Sequence, residues 1–325
     1  MDRGARTVSA LLRRGCQPDE PSLSIVRYIP ILIAIQDVSV SCNSCAATGA
    51  DHLFRAKGFD LVRCTGCGLA YIANPPSAEE LKVLYSAGAS YHAALCDPAS
   101  ETFATQDRIA VRHLAETLRG VKSGRLLDVG CSIGQFAARA KQAGFAASGL
   151  EMNESSAAFA RAHYGLEVAE GTIHDAPQQA GSLDVLTMFD VIEHVPDPLG
   201  DLRKAHDLLA PGGAIVLSTP NIDGLFPRAS LPLAKKLDYW PHPEPPYHLY
   251  QFSAKTLGAM LEQAGFAVTS TRHFAIDLAY TFGQMQTLLK MPKRLAYAGL
   301  FAPLAAIGPL LGAGDWIYVT ARKAA

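Results

Sequence analysis

The chain has 325 residues, of which 49% are hydrophobic and 18% charged, so it can form one large α/β domain with a smaller module attached. Its 29 basic and 30 acidic residues give a net charge of −1, without the basic excess that is typical of nucleic-acid-binding proteins. We therefore expect no nucleic-acid partner.

The first segment, residues 1–38, mixes Arg, Gly, Pro and Ser without periodicity, which predicts a poorly ordered extension. Residues 25–35 are apolar, but Arg27 and Pro30 interrupt them, and they are far fewer than the roughly 20 residues that span a bilayer. No secretory-type sequence is evident in this segment, which is one reason to expect a cytoplasmic protein.

Residues 39–76 are rich in turns and cysteine, and they predict a small zinc ribbon. Four of the seven cysteines form two Cys-x-x-Cys pairs, namely Cys42 with Cys45 and Cys64 with Cys67. Two pairs of thiolates are the ligand set of a structural, tetrahedral zinc site, which has no open position for catalysis. A redox or free-thiol role is the alternative. Thiolate zinc sites are compatible with a reducing compartment, which again favours the cytoplasm.

Helical spacing follows in residues 77–121, which we expect to bridge the two modules. From residue 122 to residue 325, short apolar runs alternate with helix-length segments, a pattern typical of βαβ units and a parallel sheet. Insertions are expected at about residues 222–250 and 276–314. The predicted strands are residues 125–130, 146–152, 166–171, 183–190, 214–219, 267–274 and 316–321. The predicted helices are residues 134–143, 154–164, 198–209 and 253–264.

A glycine-rich turn follows the first of these strands, with the sequence Asp128-Val129-Gly130-Cys131-Ser132-Ile133-Gly134. Glycine at positions 130 and 134 permits positive φ angles or the close approach of a ligand to the backbone. The second strand ends at Glu151, whose carboxylate can accept hydrogen bonds from both ribose hydroxyls of a nucleoside. NAD-binding domains share these features, but the glycine spacing does not fit Gly-x-Gly-x-x-Gly, which disfavours a dehydrogenase.

The turn instead resembles the Asp-x-Gly-x-Gly-x-Gly motif of class I S-adenosylmethionine-dependent methyltransferases, with Ser132 in place of the middle glycine. Residues 183–198 resemble the fourth-strand motif of that superfamily, and residues 208–213 resemble its Leu-x-Pro-Gly-Gly turn. Over about residues 105–275, the resemblance implies a Rossmann-like α/β fold. Its sheet would have seven strands with an antiparallel last strand, and the cofactor would lie at the carboxyl ends of the strands. The cysteine module resembles the zinc ribbon that precedes some bacterial methyltransferases of small molecules and sugars.

The same resemblance assigns residues to the S-adenosylmethionine site. Around the methionine part it implies Asp128, Gly130, Ser132 and Gly134; at the ribose, Glu151; near the adenine, Met152, Thr172 and Ile173; and over the sulfonium, Phe189 and Asp190. For Thr172 and Phe189, loop capping and core packing are the structural alternatives.

Catalysis is assigned to the residues that follow the fourth strand. His194 is the candidate general base, because the pKa of a histidine lies near neutrality and this one lies at the cofactor edge. The resemblance to quinone-type O-methyltransferases implies that Asp190, Glu193 and His194 can bind a divalent ion. Glu193 and His194 can instead cap or buttress the next helix. His248 belongs to a stretch that resembles His-Leu-x-x-Phe-Ser in this group, and it is expected in a substrate-covering insertion or in a structural loop.

Residues 295–314 form a long uncharged stretch, which Pro303 and Pro309 interrupt. They predict a buried helix pair, with a peripheral membrane contact as the alternative.

Together, these patterns predict an S-adenosylmethionine-dependent methyltransferase that acts on a small-molecule acceptor or on a carbohydrate or lipid precursor. The alternative is a non-catalytic protein that keeps the cofactor fold and binds a partner through its zinc ribbon.

Overall fold

The computed structural model describes residues 40–324, except residues 78, 82–92, 238–239, 241, 243–244, 277 and 283–284. The extension expected at residues 1–38 lies outside the described residues. The described chain forms a seven-stranded sheet flanked by helices and a four-stranded antiparallel sheet next to the cysteines.

The large sheet has the strand order β10-β11-β8-β7-β4-β5-β6. Strands β4 to β8 pair in parallel, and the last strand, β11, runs antiparallel to its neighbours β8 and β10, as the resemblance implies. The seven strands are β4 (Gly124–Val129), β5 (Phe145–Glu151), β6 (Glu167–Glu170), β7 (Leu183–Phe189), β8 (Leu209–Pro220), β10 (Phe266–Phe274) and β11 (Trp316–Lys323).

The central strands are apolar on both faces because helices cover both sides of the sheet. The adjacent residues Leu126 and Leu127 in β4 are fully buried, and so are the adjacent residues Val185 and Leu186 in β7. Such continuous apolar runs are typical of parallel sheets. The flanking helices are α1 (Glu101–Gly120), α2 (Gln135–Gln142), α3 (Glu154–Tyr164), α4 (Pro198–Leu208) and α6 (Ala254–Gln263).

Helix caps explain why the predicted boundaries of α2, α3, α4 and α6 agree with the structure within two residues. The side chain of Asn153 accepts a hydrogen bond from the Ser156 amide at the start of α3, and left-handed Gly165 ends that helix. Asp197 caps α4 through the Gly200 amide, with Pro198 in its first turn. Ser253 forms a capping box at the start of α6.

The small sheet has the order β1-β2-β3-β9. Short β-type runs at residues 60–63 and 69–72 predict β2 and β3, whereas no pattern predicts β1 or β9. Three strands belong to the cysteine module, whereas β9 comes from the insertion after β8 and pairs Tyr250 with Tyr71 and Gln251 with Ala70. The cysteine module is therefore joined to the large domain by strand pairing. The strands are β1 (Ala50–Ala56), β2 (Phe59–Cys64), β3 (Ala70–Ile72) and β9 (Tyr250–Gln251).

The two segments that are expected to be insertions contain helices that pack on each other. Residues 222–250 contain helix α5 (Leu225–Leu237), and residues 276–314 contain α7 (Leu278–Phe282), α8 (Met285–Leu288), α9 (Pro292–Ile307) and a 3₁₀ turn (Gly308–Leu311). Phe226 of α5 lies 5.9 Å from Phe301 of α9, ring centre to ring centre. The prediction of a buried helix pair at residues 295–314 is wrong. Helix α9 is a single helix that continues into a 3₁₀ turn, and only 28% of the most apolar stretch within Pro292–Leu311 is buried.

Candidate functional site

The glycine turn lies against the loop that follows β7. Gly130 has a φ of 72°, and a Cβ atom at this position would lie 2.5 Å from Cγ2 of Val191. At Gly134, with a φ of 82°, a Cβ atom would lie 2.7 Å from Cδ1 of Leu166. Both positions therefore require glycine for conformation and for space. Ser132 has a φ of 50°, so the residue in place of the middle glycine adopts the left-handed conformation that glycine favours.

Glu151 ends β5 with its carboxylate fixed beside this turn. Its Oε2 accepts a hydrogen bond from the Ser132 amide and its Oε1 accepts one from the Asn153 amide, each at 2.8 Å. Burial raises the pKa of the Glu151 carboxyl, while these amides lower it. Each carboxylate oxygen keeps a further lone pair for a ligand hydroxyl. Met152, next in the chain, is 63% exposed, which leaves an uncovered apolar side chain beside the carboxylate.

The turn after β6 gives different surroundings to the two residues that are predicted near the adenine. Thr172 caps a short 3₁₀ helix, where its hydroxyl donates to Oδ2 of Asp175 at 2.9 Å. The side chain of Ile173 is 1% exposed and packs in the main core. An adenine contact from Ile173 can therefore come only from its backbone, and that contact stays a prediction.

Asp128 is buried at the end of β4 rather than open to a ligand. The hydroxyl of Thr187 in the neighbouring strand β7 donates to its Oδ1 at 2.7 Å. Burial, together with the charge of Glu151, raises the pKa of Asp128 to about 7. Asp128 thus links β4 and β7 directly beneath the glycine turn.

Phe189, at the end of β7, packs in an aromatic cluster that the sequence prediction did not include. Its ring stacks on His113 of α1, with 4.0 Å between ring centres and an interplanar angle of 7°. His113 Nδ1 lies 2.9 Å from the hydroxyl of Tyr318 in β11. Burial lowers the pKa of His113 to about 3, so this imidazole is neutral at pH 7. The cluster holds α1 over the carboxyl end of β7.

Asp190 turns away from the residues with which it was expected to bind a divalent ion. It has a φ of 56°, and its Oδ1 accepts a hydrogen bond from the Ser218 hydroxyl at 2.8 Å. Burial raises the pKa of its carboxyl to about 7. Among the described residues, the group beside β7 that can hold a metal ion consists of Glu193, His194 and His248, without Asp190. This grouping differs from the expected set of Asp190, Glu193 and His194: His248 takes the place of Asp190, which contacts Ser218 of β8. That a divalent ion binds here stays a prediction.

Glu193, His194 and His248 each offer one donor atom, and these atoms lie within 4.8 Å of one another. Nδ1 of His194 lies 3.0 Å from the carbonyl oxygen of Tyr247. A carbonyl oxygen only accepts, so Nδ1 carries the proton of the neutral ring and Nε2 keeps its lone pair. Burial lowers the pKa of His194 to about 4, so the ring is neutral at pH 7.

Neither Glu193 nor His194 caps the next helix, α4, which was the alternative role for these two residues. The cap of α4 is Asp197, and Glu193 instead accepts a hydrogen bond from the buried Thr219 hydroxyl at 2.9 Å. The rings of His194 and His248 meet edge to face, with 4.7 Å between their centres. The sequence prediction named all three residues, and the structure brings them together.

The four cysteines of the ribbon form a second group whose sulfur atoms lie within 4.8 Å of one another. Cys42 and Cys67 are 3.5 Å apart, as are Cys45 and Cys64, and all four are free thiols. Four sulfur atoms around one zinc ion are about 3.8 Å apart, because each Zn–S bond is about 2.3 Å long. Burial opposes ionisation of Cys64, but backbone amides and the neighbouring thiols lower the pKa of its thiol to about 7. This donor set fits zinc.

The ribbon also contacts both loops that carry the Glu193–His194–His248 group, a link that sequence reasoning missed. The Asn43 side chain donates to Oδ1 of Asp197 at 2.8 Å and accepts from the Leu199 amide at 3.1 Å. Strand β3 pairs with β9, directly after the His248 loop, and the Leu249 amide donates to the Glu193 carbonyl at 2.8 Å. The ribbon therefore braces this side of the candidate site.

Comparison with known proteins agrees with these features. A family described as a methyltransferase domain matches residues 103–271, which is more than half of the 325 residues. The ubiquinone biosynthesis O-methyltransferase of Pseudomonas aeruginosa is 34% identical over 111 residues, covering 31% of this chain and 47% of that protein. A probable S-adenosylmethionine-dependent methyltransferase of Mycolicibacterium smegmatis is 31% identical over 147 residues, covering 45% of this chain and 53% of that protein.

The chain spans about half the length of the curated relatives it matches. Among solved structures, the [4+2]-cyclase SpnF aligns with a TM-score of 0.52 and 18% identity over 77% of this chain and 98% of its own, a likeness of fold alone. The matched family, the order of the three sequence motifs and the mixed seven-stranded sheet establish that this chain belongs to the class I S-adenosylmethionine-dependent methyltransferases.

Proposed function

We propose that this protein transfers a methyl group from S-adenosylmethionine to a hydroxyl of a small-molecule acceptor, which includes carbohydrate and lipid precursors. The observation that carries the proposal is the packing of the glycine turn on the loop after β7. Because Val191 fills the space where Gly130 lacks a Cβ atom, the turn lies beside the loop that ends in Glu193 and His194. A nucleoside site and a proton acceptor thus share one edge of the sheet.

The residues at this edge fit the cofactor. Glu151 would hold the ribose hydroxyls with its remaining lone pairs, and Met152 offers an exposed apolar side chain for the adenine. The turn from Gly130 to Gly134 would take the methionine part, where glycine leaves the backbone accessible. When bound, S-adenosylmethionine supplies an electrophilic methyl group on a sulfonium.

His194 supplies the group that can accept the hydroxyl proton of the acceptor. Because Nδ1 donates to the Tyr247 carbonyl, Nε2 is the unprotonated nitrogen of the ring, and the low pKa keeps the ring neutral at pH 7. The O-methyltransferases among the curated relatives support an oxygen acceptor.

One metal site belongs to the proposal, and a second is the alternative to a base at His194. Cys42, Cys45, Cys64 and Cys67 would hold a structural zinc ion. In the alternative, Glu193, His194 and His248 would hold a divalent ion, for which a carboxylate and two imidazoles are a suitable donor set. That ion would use the Nε2 lone pair of His194, so His194 cannot be a base and a ligand through the same atom.

The test is turnover with methyl-labelled S-adenosylmethionine and a panel of phenol, catechol and sugar acceptors, for the wild type and His194→Ala. We expect the substitution to reduce turnover about 100-fold or more, while the affinity for S-adenosylhomocysteine changes less than about twofold. Turnover that is unchanged in His194→Ala would remove His194 from the mechanism. Calorimetric titration with Mn²⁺ separates the two roles, because His248→Ala should lose the ion only if the group is a metal site.

A further inference from the structure

Among the described residues, most of the exposed large hydrophobic side chains lie in one part of the chain, residues 278–311. Leu310 is 84% exposed, and Leu311 and Leu289 are each 66% exposed. Elsewhere among the described residues, the exposed large hydrophobic side chains are Val111, Met152 and Tyr247. We call the main set the α7–α9 surface, and its members are Leu278, Met285, Leu289, Met291, Leu300, Ile307, Leu310 and Leu311.

Helix α9 is apolar on both of its faces. Tyr297, Phe301 and Ala305 are buried, and they pack in the cluster that contains Phe226 of α5. Leu300 and Ile307 lie seven residues apart on one exposed side of the helix, and the exposed side chain of Leu310 follows in the 3₁₀ turn. A helix on the surface of a soluble domain normally presents polar side chains to water. Contiguous exposed apolar area marks an interaction surface.

The segment that carries this surface contains only basic charged residues. Residues 278–314 contain no aspartate or glutamate, and their three charged residues are Lys290, Lys293 and Arg294. All three are exposed, and they precede or begin α9. Lys235 and Lys236 add positive charge in the last turn of α5, the helix that packs on α9. Apolar side chains flanked by basic ones complement an anionic lipid surface.

The topology excludes a transmembrane arrangement of α9. The 20 residues from Pro292 to Leu311 are long and apolar enough to cross a membrane, with a length of about 30 Å. However, the segment leaves the sheet after Phe274 and returns at Trp316, and these two residues are paired in adjacent strands. One crossing would place the two ends on opposite sides of a bilayer. The buried face of α9 is also occupied by α5.

We propose that the α7–α9 surface docks this protein on an anionic phospholipid bilayer. The exposed leucines enter the boundary between headgroups and acyl chains, and the lysines and arginine contact the phosphate groups. The proposal does not depend on the methyltransferase activity, because none of its residues belongs to the candidate site.

The test is co-sedimentation of the full chain with two kinds of vesicle. One contains phosphatidylcholine alone, and the other also contains about 30% phosphatidylglycerol, which makes its surface negative. We expect binding to the anionic vesicles. The double variant Leu310→Ser/Leu311→Ser should weaken the partition coefficient about tenfold or more, because two leucines no longer leave water. Val111→Ser, which changes a side chain that is 49% exposed on α1, should bind like the wild type.

A charge variant and a label-free measurement complete the test. Lys290→Gln/Lys293→Gln should weaken binding about tenfold or more, since each basic residue near an anionic surface contributes about 1 kcal/mol. Hydrogen exchange of the wild type should slow across residues 285–311 when vesicles are added. The proposal is overturned if the folded wild type does not bind anionic vesicles, if the leucine variant binds equally well, or if sedimentation shows that this surface instead joins two copies of the chain.

Discussion

Asp128 and Glu151 are two carboxyl groups at the ends of neighbouring strands, and their environments differ. Glu151 accepts hydrogen bonds from two backbone amides, which favour the ionised form against the effect of burial. Asp128 accepts one from a neutral hydroxyl and is buried, so its pKa rises to about 7. The carboxylate suited to bind ribose is therefore Glu151, while Asp128 connects β4 to β7.

This difference predicts a pH dependence of stability. The folded-state pKa of Asp128 is about 7 and its ordinary value is 3.8, so folding favours the protonated form. Its contribution to stability is present below about pH 4 and is lost as the pH rises through 7. Asp128→Asn keeps an acceptor for Thr187 and cannot ionise. In urea unfolding between pH 4.5 and 7.5, we expect the variant to gain stability relative to the wild type as the pH rises.

Asp184→Asn is the matched control for this experiment. The Arg125 amide and guanidinium lower the pKa of Asp184, so its contribution is lost only as the pH falls below the ordinary value of 3.8. The stability difference between Asp184→Asn and the wild type should stay constant between pH 4.5 and 7.5. A constant difference for Asp128→Asn as well would contradict the assignment of a raised pKa.

At the scale of elements, the ribbon and the large domain act as one unit at the site. Asn43 joins the start of the ribbon to the α4 cap, and β3 pairs with β9 beyond His248. The conformation of both site loops thus depends on the fold of the cysteine module. If zinc supports that fold, its removal should affect more than the module itself.

Cys45→Ser tests this dependence with little change to the core, because Cys45 is the exposed member of the cysteine group. We expect the purified variant to lose its zinc and to unfold at a lower temperature, since a structural zinc site contributes directly to folding. Metal content by mass spectrometry and thermal unfolding are the two measurements. Cys96→Ser, outside the group, should keep the zinc. Equal zinc content in Cys45→Ser and the wild type would show that the four thiols are not the site.

Local patterns were sufficient to predict the parallel sheet and its helices. Apolar runs and caps such as Asn153 and Ser253 are encoded within a few residues, so their positions follow from the sequence. Strand β9 has two residues and depends on pairing with β3, far away in the chain. The stack of Phe189 on His113 depends likewise on how α1 packs, which no local pattern encodes.

The site residues divide in the same way. Glu151, Glu193, His194 and His248 were predicted because each belongs to a motif, and the last three meet in the structure. Asp190 belongs to the same motif, but it has a left-handed backbone conformation and its carboxylate contacts Ser218. A motif therefore gave the residue types, while backbone conformation decided which of them converge.

At the scale of the whole molecule, the two insertions and the ribbon occupy different positions around one sheet. The ribbon and β9 border the cofactor edge, while α9 and its 3₁₀ turn form an apolar, basic surface beyond α5. The same overall fold is found in a cyclase, so the fold by itself does not determine the reaction. The central claim is that Glu151 and the glycine turn bind the nucleoside of S-adenosylmethionine.

Calorimetric titration with S-adenosylhomocysteine tests that claim most directly, for the wild type, Glu151→Gln and the control Glu170→Gln. Glu170 lies opposite Glu151 on β6, where it pairs with Arg161 at the surface. We predict micromolar binding by the wild type and the control, and binding at least about tenfold weaker in Glu151→Gln, because the charged acceptor of the ribose hydroxyls is lost. Absence of binding by the folded wild type, or equal affinity in Glu151→Gln, would contradict the account.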